Sequence, residues 1–441
     1  MQKEIVSKKT IKELIDCEYR GYAEYVIQNR AIPSYIDGLK PVQRKVLYVV
    51  KKIARKDEKK IAEIAGQLAS VNYHHGDASA QDAAIRMAQK FHNNVPLITG
   101  HGNFGSRIIP QAAAARYIHA TLSPEYDKYF SDEEICPDNI EPDSPEPAHY
   151  LPTIPWVLVN GATGVAVGFA TNILPHSVED VSKLCKAYVE GKNLNRYKIE
   201  PTFPLFNGPV YKAETGSWAT DGVIESTTST KFVISELPFG YSREKYINIL
   251  VKMEDQGKIV SFKDYCSKKG FRFDIKVTKE QKKQAEKDLL KYFKLTTYHA
   301  ENITAIDENN DLIIFNCIED VVKKFCDYRL TMYEKKFEYE KNKCSETMSF
   351  LKAKMAFIKD VINDVINPSV MKKDELQNYV VENIISEEDI AKNIVSIPVY
   401  SITSDEVADL QRKIDELETN YQYWENVQAP EYYMEQLSKI I

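Results

Sequence analysis

The sequence predicts a multidomain α+β chain, and three observations carry that prediction. Residues 1–120 hold short amphipathic helix patterns broken by tight turns, residues from about 149 to 315 mix strand and helix patterns, and from Ile318 onward apolar residues recur every seven positions. A chain of 441 residues has room for two to four domains, each with its own core. Hydrophobic residues at 43% and charged residues at 28% are ordinary for a soluble protein. No apolar run approaches the roughly 20 residues of a membrane span, and Met1-Gln2-Lys3-Glu4 lacks a signal peptide's apolar core. The expected location is cytoplasmic.

The first helix is expected over Thr10 to Gln28, with Ile11, Leu14, Ile15, Tyr22, Tyr25 and Val26 on one face. Asn29-Arg30-Ala31-Ile32-Pro33 ends it. Pro41 sits in the first turn of a second helix, whose inward residues are Val42, Val46, Val49, Val50 and Ile53. Lys51, Lys52, Arg55 and Lys56 crowd its end, where cations suit the helix dipole. A third helix starts near Lys59 with Ile61, Ile64, Ala65 and Leu68 inward. After Tyr73-His74-His75-Gly76, Asp77 is expected to cap a fourth, which buries Ala80, Ala84, Met87, Ala88 and Phe91. Short helices with tight turns and a basic end suit a helix-turn-helix module, and equally any small helical domain.

Tyr117 to Leu122 reads as a short strand. Residues 125–146 carry nine acids and several prolines and are expected to form a solvated connector. Beyond His149 a mixed block is expected. Its strands are Trp156 to Val159, Phe203 to Tyr211, Gly222 to Ser226, Lys231 to Glu236, Phe271 to Val277 and within Asn302 to Phe315, with a helix over Ser242 to Glu254. Leu330, Phe337, Cys344, Leu351 and Ile358, joined by Met348, Met355 and Ile362, then mark one seam of a long helix. Val407, Leu410, Ile414, Leu417, Tyr421 and Trp424 mark another, behind a Thr403-x-x-Glu406 capping box. Two such segments separated by about forty residues predict an antiparallel coiled coil with a small globule at its tip.

The net charge of −6 excludes a protein that coats a polyanion with its whole surface. Residues 1–120 nevertheless hold 19 Lys and Arg against 11 Asp and Glu, so the rest of the chain sums to −14. One basic segment on an acidic body is a localised footprint for a polyanion. Seven cysteines with no C-x-x-C pair fit reduced thiols, and the eight histidines form no ligand pattern, so no structural metal is expected.

Gly100-His101-Gly102-Asn103-Phe104-Gly105 matches G-x-G-x-x-G in form, but Pro110 arrives too soon for the crossover helix that a dinucleotide site needs. A loop that brings backbone N–H groups near a phosphate is the reading that survives. Just behind it stand Ala112-Ala113-Ala114-Ala115-Arg116-Tyr117. A tyrosine, with an ordinary pKa of about 10, is a poor nucleophile at neutral pH. An adjacent guanidinium favours the phenolate and neutralises a phosphate under attack. On this dipeptide alone, a Tyr simply packed beside an Arg is the simpler account.

The motifs Asp37-Gly38-Leu39-Lys40-Pro41-Val42-Gln43-Arg44, Tyr73-His74-His75-Gly76-Asp77, Gly102-Asn103-Phe104-Gly105-Ser106, Ala114-Ala115-Arg116-Tyr117 and Asn160-Gly161-Ala162-Thr163-Gly164-Val165 stand in one order. In that order the chain resembles the breakage-reunion part of type IIA DNA topoisomerases, as in gyrase A subunits; its length and Tyr-His-His-Gly form are similar to those of bacteriophage members. The resemblance implies that Tyr117 is the nucleophile that forms a 5′-phosphotyrosyl bond and that Arg116 holds the scissile phosphate. It implies that Arg30, Lys40, Arg44, His74 and His75 contact the DNA backbone or support the reaction, that Asn103 lies in a loop buttressing the nucleophile, and that Val165 is the apolar wedge between base pairs. His101 stands where the family more often has Gln, and Val165 where it often has Ile.

The same resemblance implies a winged-helix DNA-binding domain over 25–145 after an arm at 1–24, and a mixed α/β tower domain over 146–317. Coiled-coil helices over 318–362 and 404–441 would flank a dimerisation tip at 363–403. The expected assembly is a homodimer on double-stranded DNA with a gyrase B-like subunit that binds ATP and supplies Mg²⁺, since this sequence has no G-x-x-x-x-G-K-[ST] loop. The absence of a wrapping domain after Ile441 leads to an expectation of ATP-dependent relaxation rather than negative supercoiling. The alternative is a non-enzymatic DNA-architectural dimer in which Tyr117 merely packs; a nicking or recombinase-type tyrosine enzyme is a second.

Overall fold

The structure, a computed structural model, describes residues 10–368, 370–398 and 402–440. The chain is of mixed α+β type and divides into two compact units, residues 1–329 with 436–441 and residues 330–435. In the first unit a helical run over 11–31 (α1) contains wide-turn stretches at Leu14–Tyr19 and Ile27–Ala31. The apolar residues that predict this helix, from Ile11 to Tyr25, lie largely in solvent, and only its end at Ile27 and Ala31 is buried. Helices α2 (Pro41–Ile53), α3 (Ile61–Gln67) and α4 (Asp77–Ala88) follow. Their facing residues Val46, Val49, Val50, Ile61, Ile64, Leu68, Ala80 and Ala84 form a common core, as their spacing requires. Gly76 occupies the cap position of α4, so the expected cap Asp77 is instead its first helical residue.

Strands β1 (Lys59–Lys60), β2 (Ile98–His101) and β3 (His119–Leu122) make an antiparallel sheet of order β1-β3-β2, with Ile98 opposite Leu122 and His101 opposite His119. The acidic stretch 125–146 is only in part a solvated connector: Glu134, Asp138, Glu141 and Asp143 are exposed, whereas Asp132 and Glu146 are buried. It begins with helix α5 (Pro124–Tyr129), which buries Tyr126 and Tyr129, and several of its acids meet cations in α2, just after α2, or farther along the chain. Glu133 pairs with Lys51, Asp127 with Arg55, and Glu146 reaches Lys45 at 2.6 Å, while Asp132 meets the buried Arg329. Lys45 with Glu146 and Arg329 with Asp132 are buried pairs, and a charge taken out of water needs such a partner close by.

Trp156-Val157-Leu158-Val159 is a short helix, α6 (Trp156–Asn160), rather than a strand. All four side chains are buried, and a short apolar run fits a buried helical turn as well as a buried strand. A hairpin of β4 (Ala162–Val165) and β5 (Ala170–Ile173) leads to α7 (Val178–Val189). The expected strand at Phe203 to Tyr211 shrinks to β6 (Val210–Lys212), because Phe203 packs on Phe239 and His299 instead of entering a ladder.

Strands β7 (Trp218–Asp221), β8 (Val223–Thr228) and β9 (Lys231–Glu236), helix α8 (Arg243–Asp255), and strands β10 (Ser261–Asp264) and β11 (Phe273–Lys276) follow. The sheet β10-β11-β9-β8 buries one face, including Phe232, Ile234, Phe273 and Ile275, against Tyr246, Leu250 and Met253 of α8. A separate sheet has β7 between β6 and β12 (Thr296–His299). The stretch Asn302 to Phe315 is a hairpin of β13 (Ile303–Ile306) and β14 (Leu312–Phe315).

Helix α9 (Ile318–Ile362) begins where the periodicity places it. In the second unit its later part runs antiparallel to α12 (Ser404–Asn426): Phe337 packs on Trp424 near one end and Lys354 bonds Glu406 at the other. Thr403 caps α12 by accepting from the Glu406 N–H at 3.2 Å. Helices α10 (Lys373–Asn383) and α11 (Glu388–Val395) form a small core between them from Leu376, Val380, Ala391 and Ile394, joined by Ala353 and Phe357 of α9.

Candidate active site and nucleic-acid interface

Between β2 and β3 the chain leaves the sheet as a loop and returns carrying Arg116 and Tyr117. The outgoing limb is fixed by short-range bonds. Asn103 Oδ1 accepts from the Gly105 N–H at 3.0 Å, the Asn103 carbonyl accepts from Ala113 at 2.9 Å, and Gln89 donates to the Phe104 carbonyl at 2.8 Å. Gly105 has φ +82°, and a Cβ there would sit 2.4 Å from the Pro110 carbonyl oxygen, so only glycine fits. Thus the glycines of this loop serve a tight chain reversal.

The returning limb is pinned to the start of α3. Ala115 and Ile118 are buried and their carbonyls accept from Ala62 at 3.3 Å and Ile61 at 3.0 Å. Between these anchors the chain turns, with the Tyr117 N–H bonded to the Ala114 carbonyl at 2.9 Å. The turn pushes Arg116 and Tyr117 into solvent, and Tyr117 is 67% exposed. The Arg116 guanidinium lies 4.7 Å from the centroid of the Tyr117 ring. A cation over the ring face is worth about 0.5–1 kcal/mol at exposed sites. A tyrosine packed for its apolar ring would be covered; this one is presented.

The other predicted residues fall into distinct settings. Lys40, the residue before α2, donates to the Thr163 carbonyl at 2.8 Å, and burial, helped by Arg86, lowers its pKa. Arg30 is exposed at the end of α1. Gly164 packs so tightly on that end that a Cβ would stand 2.1 Å from the Ala31 carbonyl oxygen. This contact brings Val165, 84% exposed at the end of β4, beside Arg30–Ala31. The two neighbouring histidines diverge: His74 bonds Asn72, whereas His75 meets the Tyr25 hydroxyl of α1 at 3.3 Å. Arg44 is not a free cation. Its guanidinium is held by the buried Asp37 and by the Leu39 carbonyl at 2.7 Å.

An open cleft of about 600 Å³ lies beside Lys40 and Thr163 and is also lined by Arg86, His92, Asn160 and Arg107. Burial and the nearby Arg86 hold the His92 imidazole down at about 4. Arg86 and Arg107 escape a reading by motif. The signal available for Arg86 is a cation among the inward-facing alanines of α4, and for Arg107 a cation within the glycine loop itself. Among the described residues, no three His, Cys, Asp or Glu side chains gather closely enough to hold a metal ion.

Comparison with known proteins adds an independent line. The family model for the A subunit of DNA gyrase/topoisomerase IV matches residues 30–440. The chain is 36% identical over 447 residues to the DNA topoisomerase medium subunit of Enterobacteria phage T4, with 99% of both chains covered. It is 30% identical to the DNA gyrase A subunit of Thermotoga maritima, covering 94% of this chain and 55% of that one. It is 29% identical to a putative mitochondrial DNA topoisomerase 2 of Caenorhabditis elegans, covering 93% and 38%. The chain therefore spans the whole phage subunit but only about a third to a half of these longer relatives. The crystal structure of the Plasmodium falciparum topoisomerase II DNA-binding, cleavage and re-ligation domain superimposes with a TM-score of 0.89 at 27% identity, covering 97% of this chain and 63% of that one.

Proposed function

The chain belongs to the family of DNA gyrase/topoisomerase IV A subunits, and from that premise we propose that it is the DNA-cleaving and rejoining subunit of an ATP-dependent type II topoisomerase. The observation that carries the site assignment is the exposed Tyr117, held on a loop anchored at both ends with the Arg116 guanidinium 4.7 Å from its ring. In the forward step the Tyr117 phenolic oxygen attacks the scissile phosphorus. An Oη–P bond forms, the P–O3′ bond breaks, the phenol gives up its proton and the departing oxygen becomes a 3′-hydroxyl. Religation is the reverse, and because one phosphoester is exchanged for another it needs no ATP. Arg116 neutralises the charge that builds on the non-bridging oxygens.

Lys40, Arg30, His74 and His75 grip the backbone of the duplex, Arg44 fixes the start of α2, Asn103 braces the loop, and Val165 wedges between base pairs to bend the helix. The domain boundaries proposed are an arm at 1–24, a winged-helix domain at 25–145, a tower at 146–317, coiled-coil helices at 318–362 and 404–441, and a dimerisation tip at 363–403. Helices α2 to α4 beside the sheet β1-β3-β2 support the winged helix, and the pairs Phe337–Trp424 and Lys354–Glu406 support the coiled coil.

Two copies place one tyrosine on each DNA strand. Mg²⁺ and ATP are assigned to a gyrase B-like partner on the strength of the family, and no step of the exchange is routed through them. The work is done in the cytoplasm.

A denaturing gel of end-labelled duplex DNA incubated with the chain, Mg²⁺ and the ATPase partner tests this reading. Protein linked to both 5′ ends, lost in Tyr117→Phe while DNA binding is kept, is the expected result. Linkage through a 3′ end points to a recombinase-type enzyme, and no linkage under cleaving conditions to an architectural dimer.

A further inference from the structure

The loop that carries Arg116–Tyr117 has a third anchor, and it lies outside the helical part that the loop belongs to. At the tip, the Ser106 N–H bonds the Ile109 carbonyl at 2.8 Å, closing a knuckle that turns Arg107 and Ile108 outward. Ile108 packs against the core formed by β9, β11 and α8. Arg107 reaches the same block. One terminal nitrogen donates to the Leu205 carbonyl at 2.6 Å and to Glu236 Oε2 at 3.1 Å. The other meets Glu236 Oε1 at 3.0 Å and the Leu237 carbonyl at 3.2 Å. The rings of Phe206 and Phe271 lie 5.4 and 5.2 Å from the guanidinium. Both Arg107 and Glu236 have side chains only 11% exposed.

We propose that Arg107 is a positioning residue for Tyr117, fastening the nucleophile's loop to the β8–β9 sheet through Glu236. The inference rests on the assignment of Tyr117 as nucleophile. Its physical basis is the direction of the bonds. Each of these partners of Arg107 belongs to residues 205–271, so the clamp fixes the loop against that block. The block's own core, Phe232, Ile234, Phe273 and Ile275 against α8, is assembled without Arg107. Displacement of the knuckle passes to Tyr117 through the Ala113–Asn103 bond and the short run that follows. A misplacement of about 1 Å can cost on the order of a hundredfold in rate. Lysine cannot replace the clamp, since an ammonium lacks the planar fork that serves a carboxylate and two carbonyls together.

The test uses the enzyme reconstituted with its ATPase partner and compares Arg107→Lys, Glu236→Gln and the double variant. Each is measured for single-turnover covalent linkage, for DNA affinity and for thermal melting, with the assays run well below the melting midpoint. Each single variant is expected to slow linkage at least about tenfold with DNA affinity unchanged within about twofold. The double variant should be no slower than the worse single, because the two side chains act as a unit. Linkage at the wild-type rate in Arg107→Lys, additive losses, or losses that track DNA affinity or unfolding overturn the proposal. Tyr117→Phe runs alongside: linkage that persists there removes the nucleophile assignment itself, whereas linkage lost there but normal in Arg107→Lys removes only the role of Arg107.

Discussion

Asp37 holds Arg44. The carboxylate of Asp37, fully buried, accepts from Arg44 Nε at 2.7 Å and Nη2 at 3.3 Å, and also from the backbone N–H groups of Leu39 at 2.9 Å and Tyr150 at 3.0 Å. One side chain thus ties the entry of α2 to the segment that follows the acidic stretch. Breaking such a buried pair from one side leaves a charge without its partner, at about 3–5 kcal/mol. Asp37→Asn is therefore expected to lower stability by at least about 2 kcal/mol, read from the midpoint of urea unfolding. An unchanged midpoint refutes the role given to Asp37.

Gly105→Ala acts on the loop rather than on the core. The new methyl meets the Pro110 carbonyl oxygen in a backbone conformation that disfavours side chains. Covalent linkage to DNA should fall by at least about tenfold with only a small change in DNA affinity, as judged by linkage gels beside a binding titration. Wild-type linkage in this variant means the reversal at Gly105 does not matter for the nucleophile.

Val165 offers a separate handle. Because its side chain is 84% exposed, Val165→Ala and Val165→Ile should change stability by no more than about 0.5 kcal/mol. The alanine variant should bend DNA less and cleave it more slowly, and isoleucine should do the reverse. Bending measured by energy transfer between labelled duplex ends checks this, and equal bending by all three chains refutes the wedge.

The buried histidines set an acid limit. Burial pushes both His149 and His176 down to about 4; for His149, Asp37 and Glu308 oppose the shift and Arg44 adds to it. Below the ordinary value of 6.5 the unfolded chain takes up protons that the folded chain refuses until about pH 4. Their contribution is therefore complete above pH 6.5 and declines as the pH falls towards 4, by at most about 3 kcal/mol per ring. His149→Gln, which can keep a polar contact with the Tyr328 hydroxyl (2.7 Å from His149), should flatten the loss of stability between those limits. An unaltered slope in melts at pH 7, 5.5 and 4.5 contradicts this.

Local pattern is legible in the sequence where burial follows a simple period. Val46, Val49 and Val50, then Ile61, Ile64 and Leu68, face a core as their spacing demands, and β9 and α9 begin where their patterns do. Trp156 to Val159 misleads because a run buried on all sides carries no period. The acids at 127, 133 and 146 mislead for another reason: their partners Arg55, Lys51 and Lys45 lie far back along the chain. At the site, Arg116–Tyr117 can be singled out by residue type and order. That Asp37 claims Arg44, or that Arg107 turns away to Glu236, depends on contacts that spacing does not encode.

Those ion pairs also change how the basic first segment would behave towards a polyanion. Arg44, Lys45, Lys51, Arg55 and Arg107 each face a carboxylate of the same chain. Binding to DNA releases condensed counterions only in proportion to the phosphates that protein cations neutralise, about 0.9 per contact on duplex DNA. Four of these cations, all but Arg44, meet acids that lie beyond residue 120, so the segment's grip on DNA should weaken with added salt less steeply than its excess of Lys and Arg implies.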